Sequence, residues 1–255
     1  MTQPADLLLP LATAAAAGLI GSIAVMRRMT LASDALSHIA LPGIGIAILL
    51  RLNPIVGGLV ALLLGTVLVW ALEHKTRIPT EAIVGVVFSA ALAVGGMLTS
   101  GEDLIEALFG APGRPSRPEL LLGLAAAALV IAFAIVAESR LVITLVSPDL
   151  ARTAGIDVSR LNLLFLLAFA ATVALGLRFL GVLLMGSLVI IPASTAKHLA
   201  RSLHAMRWIS VAIAMLSTAV GALVARALHR DAGPIVITIA SLIFFASLWT
   251  RRGDD

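Results

Sequence analysis

Apolar runs of about 17 to 21 residues follow one another along almost the whole chain, with only short polar breaks between them. A run of that length matches what the hydrocarbon core of a bilayer demands of a helix. Nine such runs can be placed: 8–26, 34–50, 54–72, 82–99, 119–137, 161–178, 180–196, 208–228 and 234–250. Of the 255 residues 60% are hydrophobic and 13% charged, and the mean hydropathy is +1.08. A soluble domain is only about half apolar. The expected fold is therefore all-α: a polytopic helical membrane protein with eight to nine transmembrane helices. Residues 1–255 form a single transmembrane domain with little mass outside the lipid bilayer.

The run 180–196 follows 161–178 with almost no loop and contains Gly181, Gly186 and Pro192. It reads either as a ninth crossing or as a broken, re-entrant helix, which a membrane tolerates only where protein or a cavity surrounds it. The apolar stretch 141–146 is too brief to cross.

With the N-terminus outside, 12 of the 18 basic residues fall on inner segments and six on outer ones. That is the direction of the positive-inside rule, and it places the C-terminus in the cytoplasm. The net charge of +4 thus marks cytoplasmic loops and does not point to nucleic acid. No basic residue precedes the first apolar run, so a cleavable signal peptide is not expected. The absence of cysteine excludes disulfides, thiolate metal ligands and iron–sulfur clusters.

Against this background Asp34 and His38, in Asp34-Ala35-Leu36-Ser37-His38, are conspicuous. Ionisable groups at membrane depth are expensive and raise a functional hypothesis by default. Spaced i, i+4 on a helix, the two side chains share one face. A carboxylate oxygen beside an imidazole nitrogen is a start for a divalent-metal site. The alternative is an interfacial Asp34 capping the second helix, with His38 hydrogen-bonded inside the bundle. If that helix begins at residue 34, the pair sits near its inner end. A mid-membrane site then requires the connection 27–37 to fold back into the protein. His198 and His204, in a basic loop, read as solvated residues, and His74 and His229 as interfacial ones.

Two connections stand out. The exterior loop 100–118 carries Glu102, Asp103, Glu106 and three prolines, and begins with a short amphipathic piece, 103–109. The cytoplasmic loop 138–160 contains 147-SPDLARTAG-155, in which Ser147 could cap a short helix with Pro148 first and Gly155 as its stop. Such a helix could be a docking element; a plain connection between two spans is the alternative. The chain has no Walker-type loop and no H-E-x-x-H or G-x-S-x-G motif, so it is not expected to be an enzyme.

Several segments, taken together, resemble one family. They are Arg27-Arg28-Met29 with Asp34-Ala35-Leu36-Ser37-His38 and Leu41-Pro42-Gly43; Asp103-Leu104 with Leu108-Phe109-Gly110; Asp149-Leu150-Ala151-Arg152 with Gly155-Ile156; and Gly181-Val182-Leu183-Leu184 running to Ile191-Pro192-Ala193-Ser194-Thr195-Ala196. From about residue 10 to 250 the chain resembles the membrane permease subunits of ABC importers for zinc, manganese or ferrous iron. The resemblance implies a type II ABC importer permease fold, related to the vitamin B12 and siderophore importers, in a bacterial-type inner membrane. It implies a homodimer, cytoplasmic ABC ATPase subunits that hydrolyse ATP, and an extracytoplasmic metal-binding protein. It implies a transported Zn²⁺, Mn²⁺ or Fe²⁺ and no permanently bound cofactor. Asp34 and His38 would line the metal pathway with Asp103, or in its place Glu102 or Glu106. Ser147, Pro148, Asp149, Ala151, Arg152 and Gly155 would couple to the ATPase. Two other functions fit parts of the pattern: a permease of the same fold for siderophores or cobalamin, and a proton-coupled metal transporter with Asp34 and His38 as its relay.

Overall fold

The computed structural model describes residues 5–76, 78–99, 108, 110 and 116–250, and among them every regular element is a helix. In chain order these are α1 (Ala5–Met26), α2 (Thr30–Ser37), α3 (Ala40–Leu49), α4 (Pro54–Lys75), α5 (Thr80–Leu98), α6 (Arg117–Val146), α7 (Pro148–Thr153), α8 (Val158–Leu199), α9 (Leu203–Leu228) and α10 (Ala232–Thr250). Helix starts follow the local chemistry. Asn53 accepts from the Ile55 amide ahead of Pro54, and Ser116 and Glu119 form a reciprocal capping box around Pro118.

Seven of the described helices are long and apolar enough to cross a membrane, and the shorter apolar stretch Asp34–Leu49 accompanies them. The 42-residue α8 would span about 63 Å if straight, twice a bilayer core. It is not straight. Gly181 is non-helical, at φ 70 and ψ 177. A Cβ on Gly176 would overlap the Met185 side chain, although nine residues of continuous helix would separate the two by about 13 Å. The chain therefore reverses at Gly181, and the halves 158–180 and 182–199 are separate crossings, as the runs 161–178 and 180–196 anticipate. Counted this way, with α2 and α3 as one broken crossing, the described residues give nine.

The bundle is built around α8, which packs against α1, α2, α4, α6, α9 and α10. Phe165, Phe169, Leu166 and Leu188 of α8 lie fully buried with Ile20 of α1 and Leu62 of α4. The helices α4, α5, α6 and α10 form an outer ring and turn Val60, Leu64, Val86, Leu122, Val136 and Phe245 outward. An apolar exterior over a tightly packed apolar interior is what lipid as solvent permits. One expectation is corrected here: α6 does not stop near residue 137 but runs to Val146, so the stretch 141–146 prolongs a crossing helix and the connection, which contains α7, begins at Ser147.

Candidate metal site and coupling segment

Two features bring Asp34 and His38 into the bundle. Arg28 adopts the left-handed conformation (φ 59), and the Met29 amide reaches back to the Ala24 carbonyl at 3.0 Å, so the chain turns sharply at the end of α1. Helix α2 then begins at Thr30 and re-enters the protein. Asp34 lies inside α2 and is not its N-cap; that position is Met29, where no side-chain cap hydrogen bond forms. His38 ends α2, where the helix breaks before α3 through the bonds Ile39 N–H to Leu36 O and Leu41 N–H to His38 O. The capping reading of Asp34 is overturned because the helix starts one turn earlier than the apolar run.

Depth follows from the neighbours. A Cβ on Gly186, in the second half of α8, would run into the Asp34 carboxylate and lie 3.1 Å from the Asp34 Cα. On α1 a Cβ at Gly21 would lie 3.2 Å from the Ala193 Cβ, and Val25 packs with Ala193 and Ala196, so α1 and this half of α8 run in the same direction. Gly186 precedes the level of Gly21, which is itself six residues before Arg27. At 1.5 Å per residue the Asp34 carboxylate stands roughly 15 Å from the Arg27 end of the bundle. That is about half the thickness of a ~30 Å core. The connection folds back, as a mid-membrane site requires.

His38 is 7% exposed and meets the edge of Phe88 on α5 at 5.4 Å between ring centroids, with a 63° interplanar angle. Its Nδ1 is buried without a hydrogen-bond partner. A buried polar atom left unpaired is costly and calls for an explanation. The seryl hydroxyl between the pair is occupied locally, since Ser37 Oγ donates to the Asp34 carbonyl at 2.6 Å. Oxygen and nitrogen donors thus share one face of α2, walled by Gly186 and Phe88. Among the described residues no three His, Asp or Glu side chains converge to complete a metal site. Asp103, Glu102 and Glu106 lie outside the described residues, as does most of the amphipathic piece 103–109. Two residues within that loop are described: Leu108 and Gly110 (φ 85) press so closely on the α8 reversal that a Cβ on Gly181 would overlap the Leu108 carbonyl.

At the opposite end of α8 the segment from Ser147 folds as its residues direct. Ser147 Oγ accepts from the Leu150 amide at 3.2 Å, Pro148 opens α7, and Gly155 (φ 76) follows its end. The Gly155 amide bonds the Arg152 carbonyl and the Ile156 amide bonds the Ala151 carbonyl. Ala151 is fully buried and anchors the helix, while Leu150, Asp149 and Arg152 face outward, the last two paired at 3.0 Å. An exposed pair of this kind stabilises little; its face is available to a partner.

Beside α7 lies a cavity of about 740 Å³, and on its wall is a polar cluster that nothing in the sequence signalled. Arg27 Nη1 donates to Asn162 Oδ1 at 2.5 Å, Asn162 Nδ2 donates to Glu73 Oε2 at 2.8 Å, and Thr80 Oγ1 donates to Glu73 Oε1 at 2.8 Å. The guanidinium also sits 4.6 Å above the Phe165 ring. Burial holds the Arg27 pKa down to about 10 against the opposing pull of Glu73, so it stays charged at neutral pH. The histidines outside the site divide. His198 is half-buried with an enclosed Nε2, which corrects its reading as solvated, whereas His204 is exposed and accepts from Trp208 Nε1 at 3.1 Å. His74 and His229 are exposed near helix ends.

The chain is similar over nearly its full length to known transport proteins. It is 32% identical to the high-affinity zinc uptake system membrane protein ZnuB of Haemophilus influenzae, over 91% of each chain. It is 26% identical to the manganese import system permease protein ScaB of Streptococcus parasanguinis, over 91% of this chain and 85% of that one. In fold it matches PsaBC from Streptococcus pneumoniae, solved in complex with Fab, at a TM-score of 0.81 and 24% identity, covering 95% of this chain and 89% of that one. The model of the ABC 3 transport family matches residues 2–251, and this multi-pass membrane protein belongs to that family.

Proposed function

We propose that the chain is the permease subunit of an ATP-driven importer of a divalent transition-metal ion, Zn²⁺, Mn²⁺ or Fe²⁺, and that Asp34 and His38 are its mid-membrane metal ligands. The observation that carries this reading is the pair itself: a carboxylate and an unpartnered buried imidazole nitrogen on one face of a helix that folds back to mid-depth. Relatives named for zinc uptake and manganese import support the cargo class. Asp103, with Glu102 and Glu106 as alternatives, would add an oxygen from the exterior loop, which is tethered at the α8 reversal. Two or three protein donors completed by water bind an ion well enough to accept it and weakly enough to release it. Nitrogen and oxygen donors suit all three ions.

The permease itself breaks no bond. Two copies would pair in the inner membrane, with the N-terminus outside and the C-terminus in the cytoplasm. The α7 segment, through Ser147, Pro148, Asp149, Ala151, Arg152 and Gly155, would dock a cytoplasmic ABC ATPase, and an extracytoplasmic binding protein would deliver the ion. The test is metal accumulation in a cell lacking its own importers, with the permease, its ATPase and its binding protein expressed together. Zn²⁺, Mn²⁺ and Fe²⁺ are offered separately, and uptake that requires both Asp34 and His38 is expected. Uptake that survives Asp34→Ala together with His38→Ala rules out the proposed site.

A further inference from the structure

The polar cluster around Asn162 has a placement that packing alone does not require. Its four members come from four elements: Arg27 from the turn leaving α1, Glu73 from the end of α4, Thr80 from the start of α5 and Asn162 from the start of α8. The Asn162 amide uses both its oxygen and its nitrogen, one toward the cation and one toward the anion, so the two charges meet through it. On one side, Asn162 lies five residues beyond Asp157, the N-cap of α8, and Asp157 follows directly on Gly155 and Ile156 at the end of α7. On the other, Arg27 immediately precedes the hydrogen-bonded turn into α2, and Asp34 sits one turn inside that helix. Trp70 Nε1, bonded to the Ser159 carbonyl at 3.2 Å, fastens α4 to the same turn of α8.

We propose that Asn162, through Arg27, is the mechanical link by which movement of the α7 segment reaches the helix carrying Asp34 and His38. The inference rests on the reading of α7 as an ATPase-docking segment but not on the identity of the cargo. A link of this kind needs an element with two discrete arrangements. Half-buried charges supply one, because the more they are withdrawn from water the more they must keep a partner. The cavity alongside, bordered by Arg27, Glu73, Thr80, Asn162 and the coupling-segment residues Arg152, Ile156 and Asp157, leaves room for water to take up the freed groups when α8 shifts. Arg27 and Asn162 are accordingly positioning residues: they touch neither the ion nor the nucleotide.

The native chain contains no cysteine, so one introduced thiol reports cleanly on its own site. Ala35→Cys places that thiol beside Asp34 in the complete complex of permease and ATPase. Its maleimide labelling rate is compared between the nucleotide-free and the vanadate-trapped complex. The rate is expected to differ between the two states, and Asn162→Ala is expected to remove that difference while the ATPase still copurifies and hydrolyses ATP. Metal imported per ATP should fall roughly tenfold. A purely structural role would lower yield or thermal stability without abolishing the nucleotide response. Where Asn162→Ala fails to assemble, Asn162→Leu, which fills the space without an amide, and Arg27→Gln, which removes the cation, decide in its place. A labelling rate at Ala35→Cys that ignores nucleotide in the native background, or that still responds in the cluster variants, overturns the link. A complex whose Ala35→Cys responds to nucleotide, but which moves none of the three ions, removes the metal reading and leaves the link standing.

Discussion

The Asp34 carboxylate rests against the bare backbone of Gly186, and the space it occupies is the space a Cβ at Gly186 would take. Gly186→Ala should therefore displace the carboxylate. We expect a stability loss of about 1–3 kcal/mol, the usual result of overpacking a filled site. Metal uptake should fall toward the level of Asp34→Ala. Thermal unfolding and uptake assays measure the two effects, and the stability loss from Gly186→Ala should shrink in an Asp34→Ala background, where no carboxylate has to move. An additive loss would mean that Gly186 acts elsewhere.

Asp34→Asn keeps the shape of the side chain and removes its charge, and His38→Phe fills the same pocket beside Phe88 without a nitrogen. Both should abolish uptake while leaving the fold, and the assembly and basal ATP hydrolysis of the proposed complex, intact. Size-exclusion profiles and hydrolysis rates report the second half of that expectation, and uptake reports the first. Full transport by either variant would remove that residue from the pathway.

In the loop 100–118, which the proposed orientation puts outside, Asp103→Ala should reduce uptake more than Glu102→Ala or Glu106→Ala. Initial uptake rates at limiting metal decide among the three. A larger loss at Glu102 or Glu106 would move the third ligand there.

At α7, Ser147→Ala removes the acceptor for the Leu150 amide, at a typical cost of about 1 kcal/mol. Gly155→Pro is harsher, because proline is held near φ −65° and Gly155 stands at φ 76. Gly155→Pro and Asp149→Lys should each uncouple uptake from hydrolysis or weaken ATPase copurification. Normal stoichiometry with normal uptake would count against docking through this segment.

Gly181→Ala should damage both halves of the reversal at once. The backbone conformation there is one that only glycine adopts readily, with strain of about 1–3 kcal/mol for other residues. The added Cβ would also strike the Leu108 carbonyl. Reduced yield of folded protein is expected, measured as the monodisperse fraction after solubilisation. A fully folded variant would show that the contact of Leu108 with Gly181 does not constrain this reversal.

The membrane class, the crossings and the α7 helix were legible in the chain because each depends on local chemistry. Run length sets a crossing, and Ser147, Pro148 and Gly155 set a cap, a first turn and a stop. The helix count of eight to nine roughly fits, with the starts and ends of α2 and α6 shifted. The pair Asp34 and His38 was legible as an anomaly, since polarity inside apolar sequence is itself a local signal. Its structural setting was not. The reach of α6 through residues 138–146 was missed because Glu138 and Arg140 look like a loop, although Glu138 is ion-paired with Arg207 of α9. Gly186 reads in the sequence only as one of the small residues that could break the run 180–196, because glycines are common in membrane helices and only the arrival of Asp34 gives this one its task.

Composition and spacing by themselves determined that this chain crosses a bilayer repeatedly, where its crossings lie and which two ionisable side chains share a face. Tertiary structure alone decided that α2 folds back into the bundle, that Gly186 makes room for one of those side chains, and that Arg27, Asn162, Glu73 and Thr80 meet. The physical reason is range. Apolar length and helix caps act within a few residues, whereas depth and contact depend on how distant helices pack, and Arg27 and Asn162 are 135 positions apart.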